Sequence, residues 1–192
     1  MTAPLAVPAD VAGSETAAAI ENTLITAYGQ LSSLPFVDEL GLGAFLAATV
    51  QHHTDHLAAF NAAAVRLGGK AQSLPDQPLM TTVVEPGLAK LASGFDAVMF
   101  SAGLELISAA TCTAQVATVA DAQLRAVLAS VAGVESQHQG VLLIVASLLS
   151  SSTAVVDGLP VPPRQLPPTL EGPPLAFVRS DQARPLTEGA VR

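Results

Sequence analysis

Val131-Ala132-Gly133-Val134-Glu135-Ser136-Gln137-His138 places one carboxylate and one imidazole, three residues apart, inside an apolar stretch that continues through Val141 and Leu142. Residues three apart on an α-helix lie on one face, one turn along the axis, so Glu135 and His138 can converge on a single point. Between Arg125 and Asp157 no other Asp, Glu, Lys or Arg occurs. A lone carboxylate on an apolar helix face is costly unless it is protonated, hydrogen-bonded or bound to a cation. The surroundings are too apolar for an ordinary wet face, so this pair reads as a ligand pair on a buried helix.

The same pattern recurs outward along the chain. Ala102-Gly103-Leu104-Glu105 repeats the order small, small, aliphatic, acid, and Glu105 is the only charge between Asp96 and Asp121. Glu21 is the only charge between Glu15 and Asp38. His53 and His56 form a second pair three apart, and every histidine falls in a helical segment. Glu21 precedes His53 by 32 residues and Glu105 precedes Glu135 by 30; Glu21 to Glu105 is 84 and His53 to Glu135 is 82. These near-equal offsets make two similar hairpins, each placing its polar groups at one depth of a common core.

The helices follow from period and punctuation. The first is expected over 15–33, with Ser14 as N-cap, an inward stripe of Ile20, Glu21, Leu24, Tyr28 and Leu31, and a stop at Leu34-Pro35. The second, over 39–68, carries Phe45, Thr49, His53, His56 and Phe60 on one face and closes at Gly68-Gly69. Residues 69–92, with Pro75, Pro78 and Pro86, form a long crossover with room for a short helix. Ser93 with Asp96 opens the third helix, over 94–117, and Asp121 caps the fourth, over 122–150. The fold class is therefore all-α, an antiparallel four-helix bundle over 14–150. An N-terminal arm (1–13) precedes it. A C-terminal tail (151–192) follows, with eight of the chain's 14 prolines, either wrapped on the bundle or free of it.

Helices one to four resemble the ferritin-like superfamily, whose sites take a Glu from each of two helices and a Glu-x-x-His from each of the other two. Glu21 and Glu105 match the single carboxylates, and Glu135-Ser136-Gln137-His138 matches one Glu-x-x-His. The other motif reads His53-Thr54-Asp55-His56, with His in place of the leading Glu, so one bridging carboxylate is missing. The resemblance implies a metal site of Glu21, His53, His56, Glu105, Glu135 and His138. Such a set holds two divalent ions with a bridging hydroxide, or one ion. Iron ranks first as the cofactor and manganese is an alternative, while the extra imidazole makes zinc more competitive. More loosely, the chain is similar to bacterial ferritin-like proteins grouped with desiccation-related proteins. The implied function is metal binding with oxygen or peroxide chemistry in stress protection. The alternative is a non-catalytic stress-related or scaffold bundle with one structural metal or none, acting through its tail.

Composition narrows the rest. The 192 residues suit one domain of ordinary size, with a core of small side chains, since aromatics make up only 4% and Trp is absent. A net charge of −8 and no Lys/Arg cluster argue against a nucleic-acid partner. The single cysteine, Cys112, excludes an internal disulfide or Cys-rich metal site and reads as a small buried residue. Residues 97–120 carry one charge in 24 positions, long enough to span a bilayer. A mid-membrane carboxylate costs at least ~2.5 kcal/mol, and no basic flank or aromatic belt orients the span, so no membrane insertion is expected. The N-terminus has no secretory-signal pattern, which gives a cytoplasmic expectation, or an exported one if an upstream signal precedes Met1. The tail is the expected surface for a protein partner or a homo-oligomer. Among nearby side chains, His52 points about 100° from His53 and reads as a supporting group or its substitute. Tyr28 reads as core filler within reach of a ligand, and Asp55 as solvated.

Overall fold

The computed structural model describes residues 8–150 and 183–185. Four long helices dominate: α1 (Pro8–Leu31), α3 (Gly43–Arg66), α6 (Gly94–Val116) and α7 (Ala122–Ser150). Between them lie the short α2 (Pro35–Asp38), α4 (Gln77–Leu79), a π-helical turn (Met80–Val84) and α5 (Glu85–Leu88). No strand occurs among the described residues. Most contacts between elements join α6 to α7 and α1 to α3, and the two pairs meet where α1 touches α6 and α3 touches α7.

The start of α1 corrects the expectation of an arm up to residue 13 with Ser14 as N-cap. The helix begins at Pro8, and the Ser14 hydroxyl instead donates back to the Asp10 and Val11 carbonyls at 3.0 and 2.9 Å. Proline suits a first helical position, where its missing N–H is not needed. A long-range contact fixes the extension: the buried Asp10 carboxylate accepts the Ala120 N–H at 2.7 Å and the Asp121 N–H at 3.1 Å, tying α1 to the turn between α6 and α7. Asp10→Ala leaves both donors without that partner and is expected to cost about 1–3 kcal/mol in chemical denaturation. An unchanged midpoint would contradict this role.

The other boundaries follow the punctuation closely. Gly41, at φ 65°, lies ahead of α3, so the helix starts later than residue 39. At the far end Gly68, at φ 87°, lets the Gly69 N–H reach the Ala64 carbonyl at 2.8 Å and the Gly68 N–H reach Val65 at 3.1 Å. This pair of bonds satisfies the last carbonyls of the helix. The Ser93 side chain accepts the Asp96 N–H at 3.2 Å, and Asp121 accepts the Leu124 N–H at 2.7 Å, as expected for caps of α6 and α7. The connection from 67 to 93 is more helical than anticipated. Pro86 cannot donate and its ring crowds the preceding turn, and the widened turn just before it, with the Glu85 N–H bonded to the Met80 carbonyl, accommodates that ring.

Three apolar clusters fill the interior. One gathers Ile20, Leu24, Tyr28, Leu31, Leu46 and Leu104, a second gathers Ala17, Phe60, Cys112, Leu124, Leu128 and Val131, and a smaller third gathers Val98, Ala102, Leu142 and Ala146. In α3 His53 falls between Leu46 of the first cluster and Phe60 of the second, and in α1 Glu21 sits between Ile20 and Leu24 of the first, so a polar layer interrupts an otherwise oily core. Helix α6 is long and apolar enough to cross a membrane, but 67% of its apolar window is buried inside the protein, as befits a central packing helix. Residues 1–7, 151–182 and 186–192, and with them most of the proline-rich tail, lie outside the described residues. The described part of the tail rests on the helices. The Arg184 N–H donates to Thr111 Oγ1 at 3.0 Å, and its guanidinium lies 3.4 Å from the fully buried Asp76.

Candidate metal centre

Each long helix contributes to the polar layer. Glu21 comes from the middle of α1, His53 and His56 from α3, Glu105 from α6, and Glu135 and His138 from α7. All six converge, and all are buried except His56, which is half-buried. His53 Nδ1 lies 2.8 Å from Glu21 Oε2 and 3.4 Å from Glu135 Oε1, while its Nε2 lies 3.3 Å from Glu105 Oε1. His56 Nδ1 is 2.9 Å from Glu135 Oε1 and 3.6 Å from Glu21 Oε2. His138 Nδ1 is 3.2 Å from both Glu105 Oε2 and Glu135 Oε2.

Two overlapping sets result, Glu21/His53/His56/Glu135 and His53/Glu105/Glu135/His138, in each of which the donor atoms lie within 4.8 Å of one another. These buried groups could hold a metal ion. The chemistry of the donors agrees: carboxylate oxygens and imidazole nitrogens in equal number suit iron, manganese or zinc.

Supporting contacts surround the six. The Tyr28 hydroxyl donates to Glu105 Oε1, so this ring does more than fill the core. The Ser108 hydroxyl, which nothing in the sequence singled out, donates to Glu21 Oε1 at 3.3 Å. His52 is exposed overall but its Nδ1 lies 2.9 Å from His138 Nε2, with the two rings nearly parallel, which orients His138 from outside. Asp55 is exposed and accepts from Gln51, in line with its solvated reading. Cys112 is buried, and burial pushes its thiol well above the usual range. Tyr28 also lines a cavity of about 380 Å³ with Val37, Leu46 and Val50.

The protonation pattern is that of a crowded site. Two ionised carboxylates about 4 Å apart repel by roughly 4 kcal/mol even at an effective dielectric of 20. Burial and a hydrogen bond with Glu135 hold Glu105 above the ordinary carboxylate range. Burial also pushes Glu135 up, yet its hydrogen bonds with Glu105, His138, His53 and His56 drive it well below. Burial lowers His56 and His138, but their carboxylate partners carry both up to about 9. Burial and Glu105 raise the Tyr28 phenol, keeping it a donor.

Protons and a cation therefore compete for the same lone pairs. In metal-free protein the raised imidazoles contribute stability that is full below the ordinary histidine value near 6.5 and lost as pH rises through about 9. Metal-free melting temperature is thus expected to fall between pH 6.5 and 9, and divalent-metal affinity to rise over the same interval as fewer protons must be displaced. Thermal scans with and without metal check both signs; a metal-free melting temperature that rises with pH would contradict them.

No family profile, curated protein or solved structure matches this chain, so the centre is read from its own geometry.

Proposed function

We propose that this chain is a ferritin-like metal-binding protein whose four long helices form a four-helix bundle, with 67–93 as its crossover, around a dinuclear site for iron or a related divalent metal. The observation that carries this reading is the convergence of three carboxylates and three imidazoles from four helices into one buried layer. Within it Glu21, Glu105 and Glu135 supply charge, and His53, His56 and His138 supply nitrogen donors. Tyr28, Ser108 and His52 fix the orientation of Glu105, Glu21 and His138. Iron held there would supply oxygen or peroxide redox chemistry, consistent with a part in stress protection. Five of the six side chains are buried, which keeps bulk water from most of the layer.

A second reading is a scaffold bundle with one structural ion or none, acting through its tail. It is favoured by the way three imidazoles and three carboxylates already balance one another through hydrogen bonds, and by the seat of Arg184 on Thr111 and Asp76. Elemental analysis and Fe(II) oxidation on purified protein separate the two. Stoichiometric metal, with oxidation of Fe(II) by O₂ or H₂O₂ that is lost in Glu135→Ala, supports the first. Metal-loaded but inactive protein supports the second, and protein that retains no metal removes the metal site from both.

A further inference from the structure

His53 occupies the place where the ferritin-like pattern has a carboxylate, and its ring lies between the two overlapping donor sets. Its Nδ1 faces Glu21 and Glu135, and its Nε2 faces Glu105. Glu135 is divided in the same way: Oε1 faces His56 and His53, and Oε2 faces His138. These two residues are the members common to both sets, and each turns one donor atom toward either set.

We propose that His53 bridges two divalent ions as an imidazolate, each ring nitrogen serving one ion, with the Glu135 carboxylate as the second bridge. The inference rests on the dinuclear reading above and assigns the bridge within it. To bridge, the ring releases to solvent the protons that its two nitrogens share with Glu21 and Glu105 in the metal-free protein, two in all, which frees both nitrogen lone pairs for the ions. Charge favours this form. Three carboxylates and one imidazolate carry four negative charges, matching two divalent cations, and a layer buried at every member but His56 tolerates little net charge. Position favours it as well, because His53 is completely buried and both of its nitrogens already point at prospective ligands rather than at backbone carbonyls. An ordinary metal-bound histidine uses one nitrogen for the ion and donates from the other to a carbonyl or carboxylate. His53 has a full donor set on each side instead.

Zinc, which is diamagnetic, is a suitable probe. Full-length protein labelled with ¹⁵N-histidine is loaded with zinc, its metal content is measured, and ring ¹H–¹⁵N correlations are recorded for the four histidines. His53→Asn, which keeps polarity but removes the bridge, assigns the His53 signals. The expected result is two zinc ions per chain and one histidine with both ring nitrogens metal-bound and no N–H, absent from His53→Asn. Zinc bound while His53 keeps an N–H would overturn the imidazolate bridge, leaving a hydroxide-bridged or single-ion site and the metal-binding reading intact. Protein that retains no zinc, iron or manganese would overturn both.

Discussion

Glu135→Ala should empty the centre of tightly held metal and should also destabilise the metal-free protein. Glu135 is the acceptor that His53, His56 and His138 share, at 3.4, 2.9 and 3.2 Å, and it belongs to both donor sets. Removing one partner of a buried ion pair costs about 3–5 kcal/mol, because the charge left behind has neither water nor counter-ion. For a chain of this length that corresponds to a melting temperature roughly 10 °C lower. Glu135→Gln keeps the shape and one acceptor but not the charge, and should fall between Glu135→Ala and wild type. Calorimetry on metal-stripped samples checks the stability arm, and elemental analysis after dialysis checks the metal arm. An alanine variant that melts with wild type and keeps its metal would show that Glu135 is neither ligand nor counter-ion.

The second large effect concerns the ion itself. A ligand that binds only the folded state stabilises it by about 4 kcal/mol when its free concentration is a thousand times the dissociation constant. For this chain that corresponds to a rise of roughly 10 °C in melting temperature on loading, reversed by a chelator. The effect should be larger at pH 8.5 than at pH 6.5, since at the lower pH protons hold His56 and His138, which titrate at about 9. Glu135→Ala should show neither the rise nor its pH dependence. A melting temperature indifferent to iron, manganese, zinc and chelator alike would leave only a hydrogen-bonded polar layer.

The four long helices and their polar layer were legible because two signals in the sequence reinforced each other. Charges are so scarce that Glu21, Glu105 and Glu135 stand alone in apolar segments, and helical spacing then set His53 with His56 and Glu135 with His138 on common faces. Caps were legible where a side chain and a backbone N–H sit three residues apart, as at Ser93 and Asp121. The start of α1 was not. Ser14 carries a good local capping signal, but Asp10 answers to Ala120 and Asp121, more than a hundred residues away, and that tertiary bond fixes the helix from Pro8 onward. The same limit hid Ser108 and understated Tyr28. Nothing in a hydroxyl's own neighbourhood says that it will meet Glu21 or Glu105 across the core. The π-helical turn before Pro86 was hidden for a related reason, since a proline reads as a stop unless the preceding turn can widen around it.

Anomalous-difference diffraction from crystals of the metal-loaded protein, collected on either side of the metal's absorption edge, bears on the whole reading at once. Density should appear among Glu21, His53, His56, Glu105, Glu135 and His138, with one maximum toward His56 and Glu21 and another toward His138 and Glu105. Metal found only at surface carboxylates, with these six side chains still bonded to one another, would contradict it.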